Sequence, residues 1–284
     1  MALLSHACFA RACRAGRIRD GVRPQRVRAV FFWSLLNIKL AYRLTRVIAH
    51  LCLGLACALV FPLAGPRFRD RVVRRWSRSL LRLCGVSVEQ GEGAVALEHA
   101  MIVANHVSWL DIFVINALHP CRFVAKAEIR QWPVLGWLAL KGGTIFIARG
   151  NRRELRTIFK GMVAALEAGE RVALFPEGTT AAPGAVLPFH PNLFEAAIDA
   201  AVMVQPFALR YLDSAGALHP AVDFSGDLTF AQSMLKVLSG PPVRAQLTCL
   251  APIDAAGAHR RALAEAAHDA IGAVILGREI AETR

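Results

Sequence analysis

From about residue 94 onward, short runs of apolar and β-branched residues alternate with longer stretches whose apolar positions recur at helical spacing. The short runs fall at residues 101–104, 122–125, 144–148, 172–175, 202–211 and 243–251. Between two of them, "NRRELRTIFKGMVAALEAGE" predicts a helix. Asn151 is placed to cap it, Glu154 sits at the capping-box position and Gly169 stops it. Leu155, Ile158, Phe159, Met162 and Leu166 give it one apolar face. The stretch "AHRRALAEAAHDAIGAVILGRE" predicts a last amphipathic helix. Such alternation predicts an α/β fold, a central and mostly parallel β-sheet flanked by helices. Ligands gather beyond the carboxyl ends of the strands in sheets of this kind. Three predicted strands run straight into polar clusters: residues 105–111, Arg149, and Pro176-Glu177-Gly178-Thr179.

The pattern upstream is different. Residues 47–65, "VIAHLCLGLACALVFPLAG", hold no Lys, Arg, Asp or Glu over 19 positions. At about 1.5 Å per residue a helix of that length covers about 28 Å, close to the hydrocarbon thickness of a bilayer. In residues 67–86, Phe68, Val72, Trp76, Leu80 and Leu83 recur at helical spacing among seven arginines. That is the pattern of a basic amphipathic helix on an anionic membrane surface. Arg43 and Arg46 precede the apolar stretch, so positive charge lies on both of its flanks. The positive-inside rule then has nothing to choose between, and a one-leaflet or hairpin insertion with both ends on the cytoplasmic face of the inner or plasma membrane fits better than a simple span. A buried core helix is the competing reading. The expected organisation is a basic, poorly ordered N-terminus (1–28), a membrane-docking helical segment (29–88) and an α/β domain (89–284).

Charge sharpens that division. The chain of 284 residues carries a net charge of +13. Residues 1–88 hold 17 basic residues against two acids, whereas the remainder holds 17 basic and 19 acidic residues. A basic arm suits nucleic acid or anionic lipid. The adjoining apolar stretch decides for lipid, and no nucleic-acid partner is expected. The seven cysteines form no C-x-x-C pair and no Cys/His cluster, so neither a metal nor a prosthetic group is expected.

The chemistry starts at "MIVANHVSWLDIF". His106 and Asp111 are five residues apart, which on one helix would point them about 140° apart. They can meet if the strand ends at Asn105, His106 lies in the turn and the helix starts at Ser108 with Asp111 in its first turn. A carboxylate on one ring nitrogen fixes the tautomer and leaves the other nitrogen as a general base. Alone, the pair reads better as a helix cap beside a loop histidine.

The pair is not alone. Asn105-His106-x-x-x-x-Asp111, Gly143-Thr-Ile-Phe-Ile-Ala-Arg149, Phe175-Pro-Glu-Gly-Thr179 and Val204-Gln-Pro206 follow in order. With "FVAKAEI" and "LPFHPNLFEAA" they resemble the glycerolipid acyltransferases that acylate lysophosphatidic acid, over roughly residues 95–210. The resemblance implies that His106 deprotonates the acceptor hydroxyl, which attacks the thioester of acyl-CoA or acyl-carrier protein, while Asp111 orients the imidazole. It implies that Arg149 holds the acceptor phosphate and Glu177 bonds its hydroxyl region. Gly178 and Thr179 would offer backbone N–H groups to an anion, with Asn105 and Ser108 alongside. Lys126 is equally a source of positive potential or a solvated strand end. The implied partners are the bilayer, a lysolipid acceptor and the acyl donor, with no cofactor.

Two positions depart from the family pattern. Ala148 stands where an acidic residue is common, and Thr180 where an arginine is common. Both changes permit a less anionic acceptor. Acylation of lyso-ornithine lipid is therefore the nearest rival reading, and a non-catalytic lipid-binding protein is the rival from another class.

Overall fold

The computed structural model describes residues 24–63, 65–147 and 152–277. The chain divides into two compact units, Met1–Ile38 and Lys39–Arg284, and the sheet and its site belong to the second. Most of residues 1–28 lies outside the described residues. The expected boundary near residue 88 is not found, because the helices from Lys39 on share one unit with the sheet.

Seven strands form one sheet: β1 (Val86–Gln90), β2 (Met101–Ala104), β3 (Arg122–Lys126), β4 (Ile145–Ile147), β5 (Val172–Leu174), β6 (Val204–Leu212) and β7 (Val243–Cys249). Their order is β1-β7-β6-β2-β5-β3-β4. Every neighbouring pair is parallel except β6 and β7. The six expected runs are all strands, some trimmed at their ends. Strand β1 was not anticipated, since "VSVEQ" is short and half polar, and it is an edge strand.

Both faces of the sheet are covered, as parallel sheets require. On β2, Ile102 and Ala104 face one core while Met101 and Val103 face the other. The first core is closed by α2 (Pro66–Leu83), α3 (Asp111–Leu118) and α7 (Phe230–Ser239) through Leu80, Leu81, Val114, Ile115, Val237 and Leu238. The second is closed by α5 (Arg152–Glu167), α6 (Glu195–Asp199) and α8 (Arg260–Ile275) through Met162, Leu166, Ala197, Leu263, Ala267 and Ile271. Gly169, with φ +80°, ends α5 in the left-handed conformation that its sequence position predicts. The short α4 (Leu135–Lys141) lies between β3 and β4.

The N-terminal helices differ from expectation in one respect. Helix α1 (Pro24–Val60) contains the apolar stretch, and Ile38–Val60 is long and apolar enough to cross a membrane. It has two apolar faces. Val47, Leu51, Gly54, Ala58 and Phe61 line a cavity, while Ile48, Leu53 and Leu59 are exposed. The apolar stripe of α2 is likewise turned inward: Leu80 is buried, and Val72 and Trp76 line the same cavity. The stripe reserved by sequence for a membrane surface therefore packs on protein, and only Phe68 at its start is largely exposed. The two helices are pinned by a reciprocal pair: the Trp76 indole N–H donates to the His50 carbonyl at 3.1 Å, and the His50 ring bonds the Trp76 carbonyl at 2.9 Å. A Cβ at Gly54 would lie 2.6 Å from the Trp76 ring, so only glycine permits this approach.

His119, at the end of α3, gives a pH test of the fold. Burial, with Arg171 and Arg74 nearby, pushes its imidazole from 6.5 down to about 4. The folded state therefore binds this proton less readily than the unfolded chain. The associated stability is present above pH 6.5 and is lost as pH falls through about 4. His119→Gln is expected to flatten that part of the acid loss, read as unfolding midpoints between pH 7 and pH 4. Parallel midpoint curves for variant and wild type would contradict it.

Candidate active site

Strands β2 and β5 are parallel neighbours, with Val103 opposite Leu174. Both therefore deliver their following loops to the same sheet edge, Asn105-His106 from one and Phe175–Gly178 from the other. On the other side of β2 runs β6, paired at Ala104 with Phe207. Strand β6 is nine residues long against four, so it extends past the end of β2 and flanks the loop. Residues Phe207, Leu209 and Tyr211 point to the α3 side by strand alternation.

That frame fixes the dyad. The His106 ring Nδ1 lies 2.8 Å from Asp111 Oδ2. The same oxygen accepts the backbone N–H groups of Val107 at 2.8 Å and Ser108 at 3.0 Å. Asp111 thus caps the turn and holds the histidine at once, so the two sequence readings are not alternatives. Its other oxygen, Oδ1, accepts the Tyr211 hydroxyl at 2.6 Å. Asp111 is fully buried, whereas the His106 side chain is 20% exposed. With Asp111 ionised, Nδ1 carries the proton and the lone pair sits on Nε2 at the far side of the ring. Phe175 stacks on the imidazole at 4.1 Å between centroids and 9° between planes, which fixes the ring plane.

The loop after β5 clamps the backbone of His106 from both sides. Glu177 Oε1 accepts the His106 N–H at 2.8 Å, and the His106 carbonyl accepts the Ala181 N–H at 2.7 Å. Glu177 Oε2 accepts the Leu187 N–H at 3.0 Å. Burial raises the Glu177 carboxyl above its ordinary value against the pull of those two N–H groups.

Several expected substrate contacts have other partners. Glu177 is 4% exposed with each oxygen accepting a backbone N–H, so it braces the two loops. Asn105 is buried and exchanges two hydrogen bonds with the Leu209 backbone, tying β2 to the overhang of β6. Ser108 is fully buried and begins a turn closed by Asp111 N–H to Ser108 carbonyl; α3 itself begins at Asp111, three residues later than expected. Gly178 adopts φ +70° in the turn after β5, and Thr179 is exposed beside it. Lys126 is exposed at the carboxyl end of β3, on the same sheet edge. Arg149 and Ala148 lie outside the described residues. Thr180, at the departure from the family pattern, donates its hydroxyl to the Phe224 carbonyl at 2.7 Å.

His106 and Phe224 are in the wall of a cavity of about 330 Å³. Trp76, Trp109, Phe113, Phe123, Trp132 and Phe230 line it, together with the inward faces of α1 and α2. Trp109 touches both Phe113 and Phe230 edge-on, and its N–H reaches Ser233 at 3.2 Å, so the aromatic wall is held in place. A histidine paired with a buried carboxylate opens here on an almost wholly apolar cavity. Sequence reasoning anticipated the pairing but not the wall, which is assembled from residues between Val47 and Met234.

The structure thus sets a His–Asp pair at the carboxyl edge of a mostly parallel sheet, in the wall of an apolar cavity. A family model described as Acyltransferase matches residues 85–210. The 1-acyl-sn-glycerol-3-phosphate acyltransferase of Neisseria meningitidis serogroup B is 36% identical over 214 residues, covering 74% of this chain and 83% of that protein. The lyso-ornithine lipid O-acyltransferase of Pseudomonas aeruginosa is 34% identical over 252 residues, covering 86% and 96%. The crystal structure of the 1-acyl-sn-glycerophosphate (LPA) acyltransferase PlsC from Thermotoga maritima shares the fold, with a TM-score of 0.62 at 19% identity, covering 88% and 97%. The chain belongs to this acyltransferase family and is an acyltransferase.

Glu177→Gln replaces one accepting oxygen by an amide that cannot accept from backbone N–H. It is expected to cost about 1–3 kcal/mol of stability. Thermal unfolding of wild type and variant checks this, and an unchanged midpoint would contradict the bracing role.

Proposed function

We propose that this chain transfers a fatty acyl group from acyl-CoA or acyl-carrier protein to 1-acylglycerol-3-phosphate, giving phosphatidic acid. The observation that carries the reading is the His106–Asp111 dyad set in the wall of an apolar cavity. Nε2 of His106 takes the proton of the acceptor hydroxyl as its oxygen attacks the thioester carbonyl. The carbon–sulfur bond breaks, and the departing thiolate takes the proton from the imidazolium. Asp111 stabilises that imidazolium throughout. The thioester is already activated, so no acyl-enzyme is required. The cavity receives an acyl chain, and Arg149 is the ligand for the acceptor phosphate in this reading.

In this reading the site works at the cytoplasmic surface of the membrane with α1 inserted in one leaflet, and the exposed apolar face of the helix supports it. Ile38, Ile48, Leu53, Leu59 and Leu63 are each at least half exposed. Each acyl CH₂ moved into water costs about 0.8 kcal/mol, so a site that meets its lipids at the bilayer avoids a large penalty.

Lyso-ornithine lipid as acceptor is the second reading. It is favoured by Thr180, whose hydroxyl is committed to Phe224 where the family pattern has a cation. The near full-length match to the Pseudomonas lyso-ornithine lipid O-acyltransferase also supports it.

Acyl transfer by purified protein in liposomes, with both acceptors and both donor types, separates the readings. Lysophosphatidic acid is expected to be preferred; a preference for the ornithine lipid installs the second reading. His106→Ala is expected to lower turnover by about 10²–10⁴-fold without unfolding the chain. A folded, fully active His106→Ala protein would remove the dyad from the mechanism.

A further inference from the structure

Tyr211 is buried in β6, 100 residues from Asp111 in sequence, and its hydroxyl meets Asp111 Oδ1 at 2.6 Å. No other hydrogen bond to that oxygen is found among the described residues, while the three remaining donors all converge on Oδ2. The contact depends on the overhang of β6 beyond β2, and Asn105 anchors that overhang at Leu209, two residues earlier on the same strand face. We propose that Tyr211 is a positioning residue that acts through Asp111 to set the orientation and basicity of the His106 imidazole.

The physical argument has two parts. A carboxylate free to rotate about its own axis could present either oxygen to His106, and a donor fixed on Oδ1 removes that freedom. A hydroxyl donating to the carboxylate also draws charge from it. The carboxylate then has less charge to offer an imidazolium, so the strength of its bond to the ring depends on the Tyr211 hydroxyl. Burial first, and the adjacent carboxylate second, keep the Tyr211 phenol well above its ordinary range, so it stays a donor across the working pH. Among the described residues Glu177, on the loop after β5, also interacts with both His106 and Asp111.

The proposal rests on His106 as general base, and the test keeps the two apart. Tyr211→Phe removes the hydroxyl and keeps the ring. It is expected to lower kcat about ten- to a hundredfold, the size of a lost hydrogen bond to a charged group, with KM unchanged. The acid limb of the kcat/KM profile should move to higher pH. The chain has two tyrosines, and Tyr42 is exposed on α1. Incorporation of 3-fluorotyrosine in a Tyr42→Phe background therefore labels Tyr211 alone. Its more acidic phenol is a stronger donor and should move the same limb to lower pH, which needs no truncation of the core. In an Asp111→Asn background, Tyr211→Phe should cost no further activity.

Opposite shifts for the two phenol changes, with that loss of additivity, support the assignment. An unshifted limb in the fluorotyrosine protein, or the same fold-loss in both backgrounds, overturns it and leaves Tyr211 as packing. His106→Ala is run alongside. Retained activity there defeats the base reading and the Tyr211 proposal with it. An inactive His106→Ala beside an unaffected Tyr211→Phe defeats the proposal alone.

Discussion

The site hangs on one buried carboxylate. Asp111 is removed from water and would be costly there without partners. It has four donors: the His106 ring, two backbone N–H groups and the Tyr211 hydroxyl. Each donor comes from a different structural commitment. The backbone donors require the tight turn that follows β2, the ring requires His106 to lie in that turn, and the hydroxyl requires β6 to outrun β2. The Glu177 carboxylate and the Ala181 N–H then fix the turn from the β5 side. Loss of the carboxylate would leave donors unpaired in the turn after β2 and on β6, so the His–Asp pair and the local fold are one construction.

The second constraint is the apolar wall. From Lys39 on, helices α1 and α2 share one unit with the sheet, and each gives one face to the cavity that reaches His106. The close approach at Gly54 and the Trp76–His50 pair show how tightly the two helices are joined. The outer face of α1 stays apolar and exposed. A helix with a cavity on one side and exposed leucines on the other can put a bilayer and a reaction site within one helix diameter of each other.

Much of this was legible in the chain. Strand runs bounded by polar clusters gave the sheet, because parallel strands buried on both faces read as continuous apolar runs. The spacing of His106 and Asp111 allowed them to meet across a turn, and they do, although the helix begins at Asp111 and not at Ser108. Other features left no local trace. Tyr211 and Asp111 are far apart in sequence, and no periodicity signals that contact. Glu177 and Asn105 read as ligand contacts because polar residues beside a site look alike in sequence whether they face a substrate or a backbone amide. The stripe of α2 read as membrane-facing because an apolar stripe does not say which apolar medium it meets. Strand β1 escaped because an edge strand with polar alternate positions carries little hydrophobic signal.

The most direct test of the account is a crystal structure with a non-cleavable thioether analogue of a long-chain acyl donor. The account predicts that the chain fills the cavity between Trp76, Phe113 and Phe230, with the carbon that stands for the thioester carbonyl beside His106 Nε2. A chain bound elsewhere, with the cavity empty and His106 remote from the sulfur, would contradict it.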